Sequence, residues 1–247
     1  MKKIACIPAR YDSNRLKGKL LLDLGGKTII ERVVEAVNGY DGFNEVVVLT
    51  DHELIAEAVS HYEVRCIMTS QECNSGTERI ISVLPQLDGD IIINVQGDEP
   101  FINNDHLDSI QDLLEDDSVS IGTLCHKIQD KEHLFNYNHV KVVFNQLNQA
   151  LYFSRQAIPA IRDEMYKDWI SKYPYYKHIG IYGFKRSALE EISLMEGSEL
   201  EAAEKLEQLK WLDHGMDIHV KEVKDPPITG IDTDEDYERA KEHLKSS

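Results

Sequence analysis

The chain runs to 247 residues, 42% of them hydrophobic, which is enough for one sizeable domain with a buried core. Its 44 acidic against 27 basic residues leave a net charge of −17. That charge argues against generic binding to nucleic acid or to an anionic membrane, and it leaves the attraction of any anionic substrate to a local basic cluster or a bound cation. No apolar run approaches the ~20 residues of a membrane span. The basic start "MKKIACIPAR" does not read as a signal sequence, because Pro8 and Arg10 cut its short apolar part, so a cytoplasmic protein without membrane insertion is expected.

The first apolar run, "KKIACI", reads as a strand and leads into "IPARYDSNRLKGK". This loop gathers Arg10, Arg15 and Lys19, with Gly18 permitting a close backbone approach. Guanidinium groups fork onto phosphate oxygens and lysine acts as a point charge. The order GxxxxGK[ST] is absent and so is GxGxxG, so neither standard phosphate loop applies. A basic loop read alone is a solvated one; its place after a first strand is what favours phosphate binding.

"KTIIERVVEAV" then reads as an amphipathic helix, "EVVVLT" as a strand, and "DHELIAEAVS" as a helix capped by Thr50 or Asp51. The strand "VRCIM" precedes "NSGTER", where Ser75 and Gly76 open a further helix, "GTERIISVLPQL"; Ser75 or Thr77 is the expected cap, and backbone N–H groups there can also read a base or a phosphate. "DIIINV" is a buried strand that runs straight into "QGDEP". Gly97 turns the chain, Pro100 stops the strand, and the adjacent carboxylates Asp98 and Glu99 suit a hard divalent cation such as Mg²⁺. A helix over "NNDHLDSIQDLLED", capped by Asn103 or Asn104, and the strand "VSIGTL" complete this half.

Short apolar runs separated by amphipathic helices imply βαβ units and a mainly parallel sheet. Ligands bind such sheets beyond the carboxyl ends of the strands. The loops after the first, third and fourth strands should therefore converge.

The second half is less regular. "HVKVVFN" and "QALYFSR" read as strands around the turn "QLNQ", and the latter ends on Arg155. "YPYYKHIGIYGFKR" is a strand that sets His178 and Tyr182 four apart, on one face. "ELEAAEKLEQLKWLDHG" reads as one helix ending near Gly215, with Glu207 and Gln208 inside it. The strand "MDIHVKEV" follows, then "GIDTDED", where Asp232 repeats the logic of Asp98 and Thr233 or Asp234 caps the last helix. Taken singly, a lone His is structural and a helix Glu is solvated. The four cysteines, Cys6, Cys66, Cys73 and Cys125, have neither CxxC nor zinc-site spacing and receive no chemical role. With no long linker or repeat, residues 1–247 read as one α/β domain whose irregular middle is an inserted lid or dimerisation subregion.

Taken together, "IPARYDSNRLKGK", "SGTER", "NVQGDEPFI", "ALYFSRQAIP", "HIGIYGF", "LEQLKWL" and "GIDTDED" resemble, in order and over about the whole chain, the 3-deoxy-manno-octulosonate cytidylyltransferase (CMP-Kdo synthetase) family. The resemblance implies the Rossmann-like sugar nucleotidyltransferase fold, a homodimer formed through the inserted region, and the reaction of CTP with the sugar acid Kdo to give CMP-Kdo and pyrophosphate for lipopolysaccharide or capsule assembly. It implies that Arg10, Ser75 and Gly76 hold the cytidine side, that Arg15 and Lys19 clamp the triphosphate, and that Asp98 and Asp232 hold Mg²⁺. Gln96, Arg155, His178, Tyr182, Glu207 and Gln208 would surround the sugar acid, with Arg155 forking its carboxylate. In-line attack by the anomeric hydroxyl on the α-phosphorus needs positioning and charge neutralisation rather than a Ser or Cys nucleophile.

One departure is Lys17, which stands where the family loop has proline before the glycine. It trades a fixed φ for an extra cation. The segment "RDEMYKDWISKYPYY" is also individual, so an 8-amino analogue of Kdo or a sialic-type nonulosonic acid is an alternative acceptor. A catalytically silent nucleotide-binding regulator is a third reading; it predicts lost carboxylates or basic groups, whereas Arg15, Lys19, Asp98 and Asp232 are all present.

Overall fold

The computed structural model describes residues 1–12, 16–225 and 230–246. They form two compact units, Met1–Asp108 with Pro227–Ser247, and Ser109–Pro226. Arg15 lies outside the described residues.

In the first unit, strands β1 (Lys3–Ala9), β2 (Glu45–Thr50), β3 (Arg65–Met68) and β4 (Ile91–Asn94) alternate with helices α1 (Ile29–Asn38), α2 (Glu53–Val59) and α3 (Gly76–Ser82), as their patterns predict. α1 starts on a capping box: Thr28 accepts from the Glu31 N–H while the Glu31 carboxylate accepts from the Thr28 N–H. Its apolar stripe Ile29, Ile30, Val33, Val34 and Val37 is fully buried. α2 is capped not by Thr50 or Asp51 but by His52, whose ring nitrogen accepts from the Leu54 N–H. Asp51 is unavailable because its carboxylate already accepts from the Tyr11 N–H at 2.9 Å. Ser75 caps α3, and Asn103 caps α4 (Asn104–Glu115) through the His106 N–H.

All pairs of the β3-β2-β1-β4 sheet are parallel. The chain moves outward from β1 to β3 and then crosses to the other side of β1 to lay down β4. The order reverses between β1 and β4, and the crevice beyond that switch point is where such a sheet receives its ligand.

The second unit is mostly antiparallel, unlike the first. It holds strands β5 (Ile121–Lys127), β6 (Lys141–Phe144), β7 (Ala150–Ser154), β8 (Tyr176–Lys185) and β9 (His219–Glu222), with helices α5 (Lys131–Phe135), α6 (Trp169–Lys172), α7 (Arg186–Ile192), α8 (Glu199–Glu204) and α9 (Gln208–Asp213). β8 pairs antiparallel with β5 and β6, β6 with β7 likewise, and β9 runs parallel to β5.

The single helix expected over "ELEAAEKLEQLKWLDHG" is two. α8 ends at Lys205, which takes the left-handed conformation (φ 54°) and caps through its N–H onto the Glu201 carbonyl. The cause lies outside the helix. Ser154 and the Arg155 N–H hold the Glu204 carboxylate at 2.6 and 3.0 Å, and the Arg155 guanidinium takes the Glu204 carbonyl at 2.8 Å. That carbonyl is thereby drawn away from the helical ladder.

The last helix, α10 (Asp234–Ser246), belongs to the first unit. Its cap is Thr233, not Asp234: Thr233 accepts from the Asp236 N–H, and the Asp236 carboxylate accepts from the Asp232 and Thr233 N–H groups. No described helix is long and apolar enough to cross a membrane.

Candidate active site

The first unit builds one group of side chains at the carboxyl ends of β1 and β4. Gly18, left-handed at φ 66°, closes the basic loop by donating its N–H to the Tyr11 carbonyl at 3.3 Å. Lys19 and the buried Leu20 follow in a single 3₁₀ turn. The Lys19 ammonium donates to Asp98 Oδ2 at 2.6 Å and to Asp232 Oδ1 at 2.9 Å. Burial lowers the pKa of this lysine, but the two carboxylates outweigh it and the net shift is upward, so Lys19 stays charged.

Two backbone arrangements bring Asp98 and Asp232 together. The turn holding Asp98 lies against the end of β1, where a Cβ on Gly97 would stand 2.8 Å from the Pro8 carbonyl oxygen; only glycine fits. The Ile231 N–H then bonds the Asp98 carbonyl at 2.9 Å, with Ile231 itself fully buried. Gly230 sits so close to the Glu99 carboxylate that a Cβ would stand 3.0 Å from it. With Thr233 and Asp236 closing the helix end, the Asp232 side chain is directed to Lys19 rather than to the cap.

Arg10 is exposed directly after β1. Ser75 spends its acceptor on the α3 cap, at 3.2 Å from the Glu78 N–H. Gly76 packs beside Gln96: a Cβ there would stand 3.3 Å from the amide nitrogens of both Asn94 and Gln96. Gln96 in turn donates to Asn94 Oδ1 at 3.1 Å. The structure thus sets Gln96, expected at the sugar, next to the residues expected on the nucleotide side.

The second unit holds the remaining expected residues. On a regular strand, residues four apart are separated by ~13 Å. A bulge intervenes here, with Thr123 opposite Tyr182 and Leu124 opposite Ile179, and it draws the His178 and Tyr182 rings to 5.3 Å. His178 Nε2 lies 2.9 Å from Thr123 Oγ1, whose own proton goes to the Ile181 carbonyl at 2.8 Å. This assigns the proton to Nε2. Burial, reinforced by Lys177, pushes the His178 pKa down to about 3, so the ring is neutral. Tyr182 is buried edge to face with Trp211 at 5.2 Å. Its hydroxyl meets no hydrogen-bond partner among the described residues, and burial, with Glu207 adding to it, holds its pKa well above the ordinary value. An orphaned buried hydroxyl is costly unless a ligand completes it. Glu207 and the buried Gln208 open α9, directly after the break at Lys205.

Arg155 is more occupied than its motif suggests. Its guanidinium donates to the carbonyls of Glu204, Tyr137 and Lys205 at 2.8, 3.2 and 3.4 Å. Among the described residues, three of its five N–H groups are thus used. Sequence reasoning missed its support, Lys141. This fully buried lysine donates to the carbonyls of Arg155 and His139, each at 2.5 Å, and of Asn136 at 3.0 Å. Burial lowers its pKa to about 8, with Glu204 opposing the shift and Arg155 adding to it. The available signal was a lysine in the apolar run "HVKVVF".

Comparison with known proteins identifies the family. The family model described as cytidylyltransferase matches residues 4–218. A 3-deoxy-manno-octulosonate cytidylyltransferase of Parabacteroides distasonis is 42% identical over 97% of each chain. The chain belongs to the 3-deoxy-manno-octulosonate cytidylyltransferase family. A relative of that name from Idiomarina loihiensis is 43% identical over 95% of each chain. A solved structure of CMP:2-keto-3-deoxy-manno-octonic acid synthetase complexed with CTP superposes with a TM-score of 0.91 at 38% identity, covering 100% of this chain and 99% of the other. The protein is therefore a nucleotidyltransferase with the α/β fold of the family.

Proposed function

We propose that this cytidylyltransferase joins CMP from CTP to the anomeric hydroxyl of Kdo, for lipopolysaccharide or capsule assembly, as a cytoplasmic homodimer. The hydroxyl oxygen forms the new bond to the α-phosphorus, the bond to the bridging oxygen of the β-phosphate breaks, and pyrophosphate leaves. The observation that carries this reading is the convergence of Lys19, Asp98 and Asp232 at the β1/β4 switch point of a chain 42% identical throughout to 3-deoxy-manno-octulosonate cytidylyltransferases.

Asp98 and Asp232 fit Mg²⁺. The donors are hard oxygens, and their convergence on one ammonium shows that both can face a single positive charge. Among the described residues, no group of three or more His, Cys, Asp or Glu forms a cage. Bound there, Mg²⁺ would screen the phosphates from the sugar carboxylate and polarise the attacking hydroxyl.

The protein's own groups do the rest. Lys19 and Arg15 offset charge growing on the leaving pyrophosphate. Ser75, Gly76 and Arg10 seat the cytidine. The Arg155 guanidinium takes the sugar carboxylate. Tyr182, neutral and buried, donates its orphaned hydroxyl to a sugar oxygen, while neutral His178 packs beside it. Pyrophosphate release from CTP, measured against Kdo, 8-amino-Kdo and a sialic acid, tests the assignment. Release with Kdo alone is expected, and release only with another acid would replace the acceptor.

A further inference from the structure

A second network in the first unit is assigned to nothing so far. Arg79, on α3, is 3% exposed and pairs with Asp51, 8% exposed, at 3.1 Å. Its other nitrogen donates to the Thr69 hydroxyl and to the Ser70 carbonyl at 3.2 Å. Thr69 is itself tied to the end of β2 through the Thr50 carbonyl, at 2.7 Å from its N–H and 3.0 Å from its hydroxyl. The other Asp51 oxygen accepts the Tyr11 N–H at 2.9 Å. Tyr11 stands at the start of the basic loop: its ring stacks on His52 with centroids 3.9 Å apart and 17° between planes, and its carbonyl receives the Gly18 N–H one residue before Lys19.

One buried ion pair therefore joins the segments that follow β1, β2 and β3 to the helix that begins with Gly76. A carboxylate with one oxygen on a guanidinium and the other on a main-chain N–H fixes direction as well as distance. A pair whose task was stability alone would be replaceable by apolar residues of similar volume, with little loss. This one instead spends its charge on main-chain and hydroxyl groups that carry the basic loop and the segment leading to the Ser75–Gly76 turn.

We infer that Asp51 and Arg79 are positioning residues for the nucleotide: through Tyr11 and α3 they hold Lys19 and Gly76 in the mutual register that CTP requires. The inference rests on the reading of the loop ending at Lys19 and of the Ser75–Gly76 turn as the CTP site. It assigns no contact with substrate to either residue.

The test separates positioning from plain stability. Asp51→Asn keeps the shape and an acceptor for the Tyr11 N–H but removes the charge that balances Arg79. Calorimetry and steady-state kinetics should show the CTP Kd and KM rising about tenfold, with the Kdo KM and the kcat at saturating CTP within about twofold of the parent. A pair that only stabilises the fold would lower the melting temperature and the active fraction while leaving both KM values unchanged, and that result overturns the inference. If Asp51→Asn does not fold, Arg79→Lys serves: lysine keeps a charge facing Asp51 but gives up the forked bonds to Thr69 and Ser70. A rise of about threefold in the CTP KM alone is expected there, and an unchanged KM in the folded variant overturns the inference. Absence of CTP binding and turnover in the parent enzyme would instead sink the functional reading beneath it.

Discussion

Replacing Lys19 with methionine removes the ammonium that Asp98 and Asp232 share while nearly keeping the side-chain volume. Unit charges about 4 Å apart attract by ~4 kcal/mol at an effective dielectric near 20, before desolvation is subtracted. The Lys19 side chain is 10% exposed, Asp98 27% and Asp232 44%. The Asp232 arm is wet enough to count as a surface pair, worth ~0.5 kcal/mol. The Asp98 arm is intermediate between that and a buried pair, whose breakage costs ~3–5 kcal/mol. Lys19→Met should therefore cost about 2 kcal/mol at pH 7, or roughly 4–8 °C in melting temperature for a chain of this length. Because the folded-state pKa of Lys19 is raised above 10.5, its contribution is complete below that pH and is lost as the pH climbs through the folded value. Urea denaturation of both proteins, repeated from pH 7 upward, should show a gap that holds to about pH 10 and then narrows. A gap below about 0.5 kcal/mol at neutral pH, or one that widens in alkali, refutes the reasoning.

Asp98→Asn should lower turnover by about 100-fold or more with the circular-dichroism spectrum unchanged; near-parental rates at saturating Mg²⁺ would remove Asp98 from the metal site. Arg155→Ala should raise the KM for the sugar acid more than that for CTP and cost about 2 kcal/mol in denaturation, because three carbonyl contacts are lost with the guanidinium; an effect on CTP alone would move Arg155 out of the sugar pocket. Tyr182→Phe should leave stability within about 1 kcal/mol of the parent or raise it, since the hydroxyl has no partner among the described residues to lose. Its KM for the sugar acid should rise with that for CTP unchanged, and a sugar-acid KM equal to the parent's would take the hydroxyl off the sugar.

Most of the first unit was legible because its determinants are local. The capping box Thr28–Glu31, the buried stripe of α1 and the apolar runs of β1 to β4 each lie within a dozen residues of chain. What the sequence concealed depends on contacts between distant segments. Thr50 or Asp51 reads as the cap of α2, but a partner 40 residues away takes the Asp51 carboxylate and His52 caps instead. The helix containing Glu207 reads as continuous, but Ser154 and Arg155, some 50 residues upstream, seize Glu204 and break it. Of the two expected final caps, Thr233 and Asp234, it is Thr233, closed by Asp236, that performs the task. His178 and Tyr182 were expected on one face, but the bulge that brings their rings together leaves no local mark in "HIGIYGF".

The same distinction organises the chemistry. The described residues expected to meet CTP all belong to the first unit, in segments that follow its parallel strands, and Gln96, expected at the sugar, belongs there too. The rest of those expected to meet the sugar acid belong to the second unit, on a bulge, a broken helix and a carbonyl clasp, each set by long-range bonds. A phosphate clamp needs charge at a strand end, which the fold class supplies generically. On the proposed assignment, discrimination among sugar acids would fall to a hydroxyl, an imidazole and a guanidinium held by irregular backbone and by the buried Lys141. Substitutions that relax this support, Lys141→Met among them, should therefore change which acid is accepted before they change the affinity for CTP. A panel of acids assayed by pyrophosphate release would show this, and a loss of CTP affinity with the acid preference intact would contradict it.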